Sequence, residues 1–377
     1  MKFSEIIGHK NIIDKLKKTV DSGKLPHAIL LSGKSGIGKM RVARAFAQYL
    51  HCQNKINGDS CGVCPSCLQH QKLNNPDTHY IFPIIKKKEG ASISNSFHDE
   101  WAEMLEKNSY MSPQKWNDII KAGNTQPVIY VTESENIILK ASLSAYQENY
   151  KIFIIWQPEK MRIEAANKLL KILEEPFEDT IFILVSNESS KILPTIYSRT
   201  RPVNLLPLSK IEISQYLSSL NIVEPSEIET LSRLSEGSIS RAIDYASDSK
   251  ELNEFSNVFK EMMRMCYALK AKNMKEISEF IASMGREKLI RFLTYSSRML
   301  RENFIYNMRI IDLNLMTPEE EEFGKRFSPF IHAGNIEGLT EEISKAISDI
   351  ERNANAKIVM FDLLFLIARL LKKENPK

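Results

Sequence analysis

Four cysteines fall between positions 52 and 67, spaced Cys52-x8-Cys61-x2-Cys64-x2-Cys67. The two overlapping C-x2-C steps place thiolates on one tight knuckle, and Cys52 returns from the end of the preceding helical run. Four soft sulfur ligands in a tetrahedron suit Zn2+, and with all four positions filled such a zinc is structural rather than catalytic. Gly62 and Pro65 sharpen the turns. Disulfides or free thiols are the other reading, and a cytoplasmic chain disfavours disulfides. His51 and His70 flank the cluster and could replace one thiolate, although four cysteines suffice. The fifth cysteine, Cys266, sits in the helical pattern EMMRMCYALK and reads as a small buried apolar residue.

A second chemically loaded stretch, His27 to Met40, reads HAILLSGKSGIGKM. An apolar strand runs into Gly33, Gly36 and Gly38, then Lys39, then a helix-forming run. Glycines so spaced let backbone N–H groups close round phosphates. The lysine neutralises the terminal phosphates, and the positive end of the following helix points at them. A glycine turn without a ligand is the plainer alternative. Hydrolysis asks for more: a hydroxyl after the lysine to hold Mg2+, and an acidic residue at the end of a second strand. Met40 stands in the first position, and the second strand, KIFII, ends in Trp156-Gln157. Glu159 lies further along, beside Lys160, where it would need a different loop geometry to serve. Two missing metal contacts predict no catalysis at this site and at most weak ATP binding through the backbone and Lys39.

The elements that must position these groups alternate between strand and helix. AILLS, KIFIIW and TIFILVSN read as short buried strands, with helices over KMRVARAFAQYL and EAANKLLKILEE, the latter stopped by Pro176. The segment VIYVTESENIILKASLSAY reads as a strand end followed by a helix, and residues 9–22 carry helical apolar spacing. Such alternation implies an α/β fold with a parallel sheet and ligand sites beyond the carboxyl ends of its strands. Residues 86–127 read as an irregular excursion, and Lys86-Lys87-Lys88 within it as a solvated loop. After about residue 207 strand signals fade. Three short helices follow (SKIEISQYLSSL, SEIETLSRLS, SISRAIDYAS), then longer ones such as 286–308 and 356–373. The expected domains are 1–205, 206–248 and 249–377, with the cysteine knuckle 52–67 inside the first.

The chain has 377 residues, 51 basic and 47 acidic, for a net charge of +4. That bias is too weak to argue for nucleic-acid binding, and no aromatic–basic stripe supports it. The N-terminus mixes charges among its apolar residues, unlike a signal peptide. No apolar run approaches the ~18 residues that span a bilayer. A cytoplasmic protein without a membrane partner is expected.

The stretch FSEIIGHKNIIDKLKKTVDSGKLPHAILLSGKSGIGK resembles the opening of AAA+ clamp-loader subunits. The four-cysteine knuckle after the first loop helix is similar to that family too. So are AANKLLKILEEP (Ala165 to Pro176), the strand TIFILVSN, and Ser198-Arg199 where the family carries Ser-Arg-Cys. The resemblance spans about residues 3–245. It implies an AAA+ nucleotide-binding domain, a small helical lid and a C-terminal all-α collar, fitted by length and class alone. It further implies a hetero-pentameric assembly with AAA+ motor subunits, acting on a sliding clamp and primed DNA.

Within that family the lost metal contacts and intact Ser-Arg match a non-hydrolysing subunit; a hydrolysing motor subunit is the alternative. Arg199 would then be an arginine finger acting in trans with Ser198, or otherwise a surface charge, and Thr200 replaces the usual cysteine. Asn187 and Arg241 fall at the family's two sensor positions and would be relics. Otherwise they are a strand-end cap and an exposed helix arginine. Glu174 and Glu175 would face a neighbouring subunit, or form an exposed acidic pair.

Overall fold

Continuous apolar runs bounded by turns become the centre of a five-stranded parallel sheet. Its strands are β1 (Ala28–Ser32), β2 (Thr78–Ile81), β3 (Lys151–Trp156), β4 (Thr180–Ser186) and β5 (Arg201–Asn204), in the order β2-β3-β4-β1-β5. The computed structural model describes residues 1–86, 93–107, 110–123, 125–147, 149–221, 223–247, 249–269, 271–310 and 313–373. The chain divides into two compact units, Met1–Asp244 and Tyr245–Lys377.

In the first unit every residue of β1, β3 and β4 is buried, as a sheet covered on both faces requires. Alternation along each strand assigns the side chains to two cores. Ile29, Leu31, Ile152, Ile154, Trp156, Ile183 and Val185 share one apolar cluster, while Leu30, Phe153, Ile155, Phe182 and Leu184 share the other. Ser32 pairs in register with Ser186, and Trp156 with Val185, so the loops after β1, β3 and β4 emerge together.

The helices of this unit are α1 (Lys10–Asp21), α2 (Lys39–His51), α3 (Pro65–Gln71), α4 (His98–Lys107), α5 (Pro113–Ile119), α6 (Val131–Ser142), α7 (Ile163–Glu174), α8 (Pro194–Tyr197), α9 (Lys210–Leu220), α10 (Pro225–Leu234) and α11 (Ile239–Ser247). Ser209 begins α9 with a reciprocal capping box to Glu212.

One sequence expectation is corrected here, and two strands are added to those expected. Residues 86–127 are not irregular throughout: α4 and α5 bury Trp101, Met104, Leu105 and Trp116 in the same core as β3. Lys87 and Lys88 lie outside the described residues. Strands β2 and β5 carry no long apolar run, because they are the sheet edges; β5, RPVN, is largely exposed and contains Pro202.

The second unit is helical: α12 (Ser249–Ala268), α13 (Ala271–Ala282), α14 (Arg286–Asn307), α15 (Pro318–Phe327), α16 (Ile336–Glu351) and α17 (Ala356–Leu371). Phe259, Phe292, Leu300, Ile343 and Leu364 belong to its core, and Cys266 is buried there as expected. Arg298 and Glu320 form a buried ion pair, with the Tyr295 hydroxyl donating to Glu320 Oε1 at 2.8 Å. Among the described residues no helix is long and apolar enough to cross a membrane.

Candidate functional site

Strand β1 delivers the glycine loop and α2 leaves it, so Gly33, Gly36, Gly38 and Lys39 stand in the order a phosphate cradle needs. Gly36 and Gly38 have φ of 75° and 98°, a backbone region costly for other residues. The loop is closed on itself. The Lys39 Nζ donates to the carbonyls of Gly33 at 2.7 Å and Lys34 at 2.5 Å. Burial pushes the Lys39 pKa down to about 7, against the charge of Glu159, which pulls it up. Two backbone carbonyls thus hold the Lys39 amine within the loop.

Other elements press on the same loop. A Cβ on Gly36 would lie 1.9 Å from Ser240 Oγ and 2.3 Å from Ser238 Oγ. The Ile239 amide donates to Gly36 O at 3.0 Å, and the Ser238 hydroxyl to Ser35 O at 2.9 Å. His9 Nε2 donates to Ile37 O at 2.7 Å. Tyr110, between α4 and α5, lays its ring against Gly38, 3.2 Å from where a Cβ would stand. Tyr110 carries no sequence motif and falls in the stretch read as irregular; Ser238 and Ser240 lie beside Arg241 in the sensor stretch, which assigns them no role of their own.

Met40 is buried in the core with no polar role, and Trp156 closes β3 inside an aromatic cluster. Its ring centroid lies 5.4 Å from that of Trp101 and 6.4 Å from that of Trp116. The residue after it, Gln157, adopts φ 55°, and a short 3-10 turn, Pro158–Lys160, follows. This geometry brings Glu159 closer to the loop than sequence order suggested: its Oε1 accepts from the Asn187 amide at 3.0 Å, and its charge is felt at Lys39. Asn187 thus meets Glu159 through its backbone. Arg241 pairs with Glu236 at 2.7 Å, and Lys34 approaches the same carboxylate at 3.6 Å.

Ser198 and Arg199 belong to a different place. They line an open groove with Pro26, His27, Ala28, Leu173, Glu174 and Arg201, at the start of β1 and β5. The glycine loop begins past Ser32, at the far end of the five-residue strand β1, about 13 Å away at ~3.3 Å per residue. Arg199 Nη1 donates to Thr195 O at 2.7 Å, and Nη2 pairs with Glu174. The Ser198 hydroxyl donates to Thr195 O at 3.3 Å.

The cysteine cluster forms where α2 ends and α3 begins. The sulfurs of Cys52, Cys61, Cys64 and Cys67 all lie within 4.8 Å of one another, and none is in a disulfide. Tetrahedral Zn–S bonds of about 2.3 Å place sulfurs just under 4 Å apart, and Cys61 and Cys67 stand at 3.9 Å. The amides of Val63 and Cys64 donate to Cys61 Sγ, lowering its pKa to about 6, while burial raises Cys52 and Cys67. A bound cation would reverse that penalty, so the donor set fits a divalent metal. The rings of His51 and His70 bond to each other, Nδ1 to Nε2 at 2.9 Å, and His51 Nε2 donates to Tyr150 O.

The family model described as DNA polymerase III, delta subunit, matches residues 8–209. The chain is 31% identical over 207 residues to the DNA polymerase III subunit gamma/tau of Mycobacterium tuberculosis, covering 54% of this chain and 29% of that protein. It is 30% identical over 220 residues to the DNA polymerase III subunit delta' of Haemophilus influenzae, covering 58% of this chain and 54% of that protein. It thus matches under a third of the length of the one and about half of the other. A solved DNA polymerase III gamma subunit-related protein from Thermotoga maritima aligns over 96% of this chain and 99% of its own, at 14% identity and a TM-score of 0.45.

Proposed function

The chain belongs to the DNA polymerase III delta-subunit family, and from that premise we propose that it is a delta-prime-like, non-hydrolysing subunit of the DNA polymerase III clamp loader. It scaffolds a hetero-pentamer with AAA+ motor subunits and helps load the sliding clamp on primed DNA in the cytoplasm. In this reading residues 1–205 are the AAA+ domain, 206–248 the helical lid and 249–377 the collar. Cys52, Cys61, Cys64 and Cys67 would hold one structural Zn2+ tying the end of α2 to α3.

The observation that carries the reading is the separation of two groups along β1. The glycine loop follows its last residue, with Met40 and Trp156 in the metal-contact positions. Arg199 lies by its first residue, in an open groove. A guanidinium there is set apart from its own loop and, in this reading, serves a nucleotide held by another chain. Lys39, drawn onto Gly33 and Lys34, accords with a disused cradle. Identity to gamma/tau subunits favours a second reading, an active motor; the two missing metal contacts oppose it. ATP turnover by the isolated chain separates them. No Mg2+-dependent turnover is expected, and turnover abolished by Lys39→Ala would establish the motor. Stable co-purification with a hydrolysing AAA+ subunit is the second expected result.

A further inference from the structure

Losing metal ligands would stop hydrolysis; it would not by itself keep a nucleotide out. Backbone amides and Lys39 could still hold phosphates. The chain fills that gap with its own residues. Tyr110 is buried with its ring edge on Gly38, at the start of α2 where phosphates would meet the helix. The Arg41 guanidinium lies 5.0 Å from the ring centroid on one side, and the Tyr216 ring meets it edge-on at 5.3 Å. Next to it, Met111 O accepts from the loop's Ser35 hydroxyl at 3.5 Å.

The segment is pinned a second time, at the other half of the same site. Trp101 precedes Tyr110 on α4, Trp116 follows it on α5, and both pack on Trp156, where the second metal contact would be. Trp116 Nε1 also donates to Pro83 O at 2.7 Å. One stretch of chain therefore touches both the phosphate loop and the residue that replaced the carboxylate.

We propose that Tyr110 is a built-in occupant of the glycine loop, clamped by Arg41 and Tyr216 and anchored through Trp101 and Trp116 to Trp156, and that it excludes nucleoside triphosphates from the loop. This rests on the reading of the loop as a disused nucleotide site.

Equilibrium dialysis of the full chain against radiolabelled ATP, with and without Mg2+, tests it. The wild type should show no saturable binding below millimolar ATP. Tyr110→Ala should bind at least about tenfold more tightly, and Tyr110→Phe, which keeps the ring, should behave as the wild type. Arg41→Ala, which leaves Tyr110 in place but removes its stacking partner, should gain part of the effect and covers the case in which Tyr110→Ala does not fold. Thermal unfolding checks each variant. Equal ATP affinity in the wild type and Tyr110→Ala overturns the proposal. So does the absence of any gain in folded Tyr110→Ala or Arg41→Ala. Tight wild-type binding without turnover would sink the occupant and leave the non-hydrolysing reading standing. Tyr110→Ala that binds and hydrolyses ATP would do the reverse.

Discussion

Arg199 and Glu174 form an ion pair between chain positions 25 residues apart, joining the end of α7 to the turn after α8. Their side chains are 28% and 48% exposed. At such exposure a pair contributes about 0–1 kcal/mol to stability, so a γ-phosphate bearing more charge can draw the guanidinium away. Arg199→Ala should leave the chain folded and able to join its assembly. It should lower DNA- and clamp-stimulated ATP hydrolysis and slow clamp loading. A finger of this kind is worth ~10³–10⁵ in rate at one site, and in the proposed assembly that effect would be diluted by any other sites with fingers of their own. Arg199→Lys should rescue little, because lysine lacks the planar fork. Wild-type rates in a correctly assembled Arg199→Ala complex would leave only a scaffold.

Metal content is the next expectation. Protein purified without chelator should carry one Zn2+ per chain by elemental analysis. Stripping it should disorder the stretch from Cys52 to Cys67 while the sheet survives, since β1, β3 and β4 draw their cores from elsewhere. Reduced, folded protein with a zinc content near zero would remove the site.

Lys39 makes stability depend on pH in a defined window. Below pH 7 it is protonated both folded and unfolded, and its burial costs stability in full. Between about 7 and the ordinary value of 10.5, the unfolded chain holds a proton that the folded chain lacks. Stability therefore rises with pH there, by at most about 1.4 kcal/mol per unit. Urea unfolding across this range should show Lys39→Met with a flatter profile than the wild type. Identical slopes would mean that Lys39 titrates normally.

Restoring a carboxylate should not restore an enzyme. Trp156→Asp would place a charge among Trp101, Trp116 and Phe82 and remove a large buried ring. Truncations of this size cost about 3–5 kcal/mol, and an unpaired buried charge adds to that. A markedly lower thermal midpoint and unchanged, background ATP turnover are expected. A stable, hydrolysing Trp156→Asp variant would show that only the ligand was missing.

What could be read in advance follows burial. AILLS, KIFIIW and TIFILVS sit under helices on both faces, so their composition alone marks them. THYI and RPVN are edges and carry no such signature. The cysteines were legible because four thiolates able to meet round one metal ion need close, regular spacing. Arg199 could be found by motif, but not its partner: nothing local links it to Glu174, which lies on another element. Glu159 was discounted because chain distance is a poor guide where Gln157 turns the backbone through φ 55°. Tyr110 carries no motif at all, since its role comes from two helices folding back on β3.

Gly36 is demanded twice over: by a φ of 75°, and by two serine hydroxyls that leave its α-carbon no room for a side chain. Neither demand involves a phosphate. A glycine at this position is therefore required by the packing of the segment round Ser238 and Ser240 alone, whether or not a nucleotide ever enters.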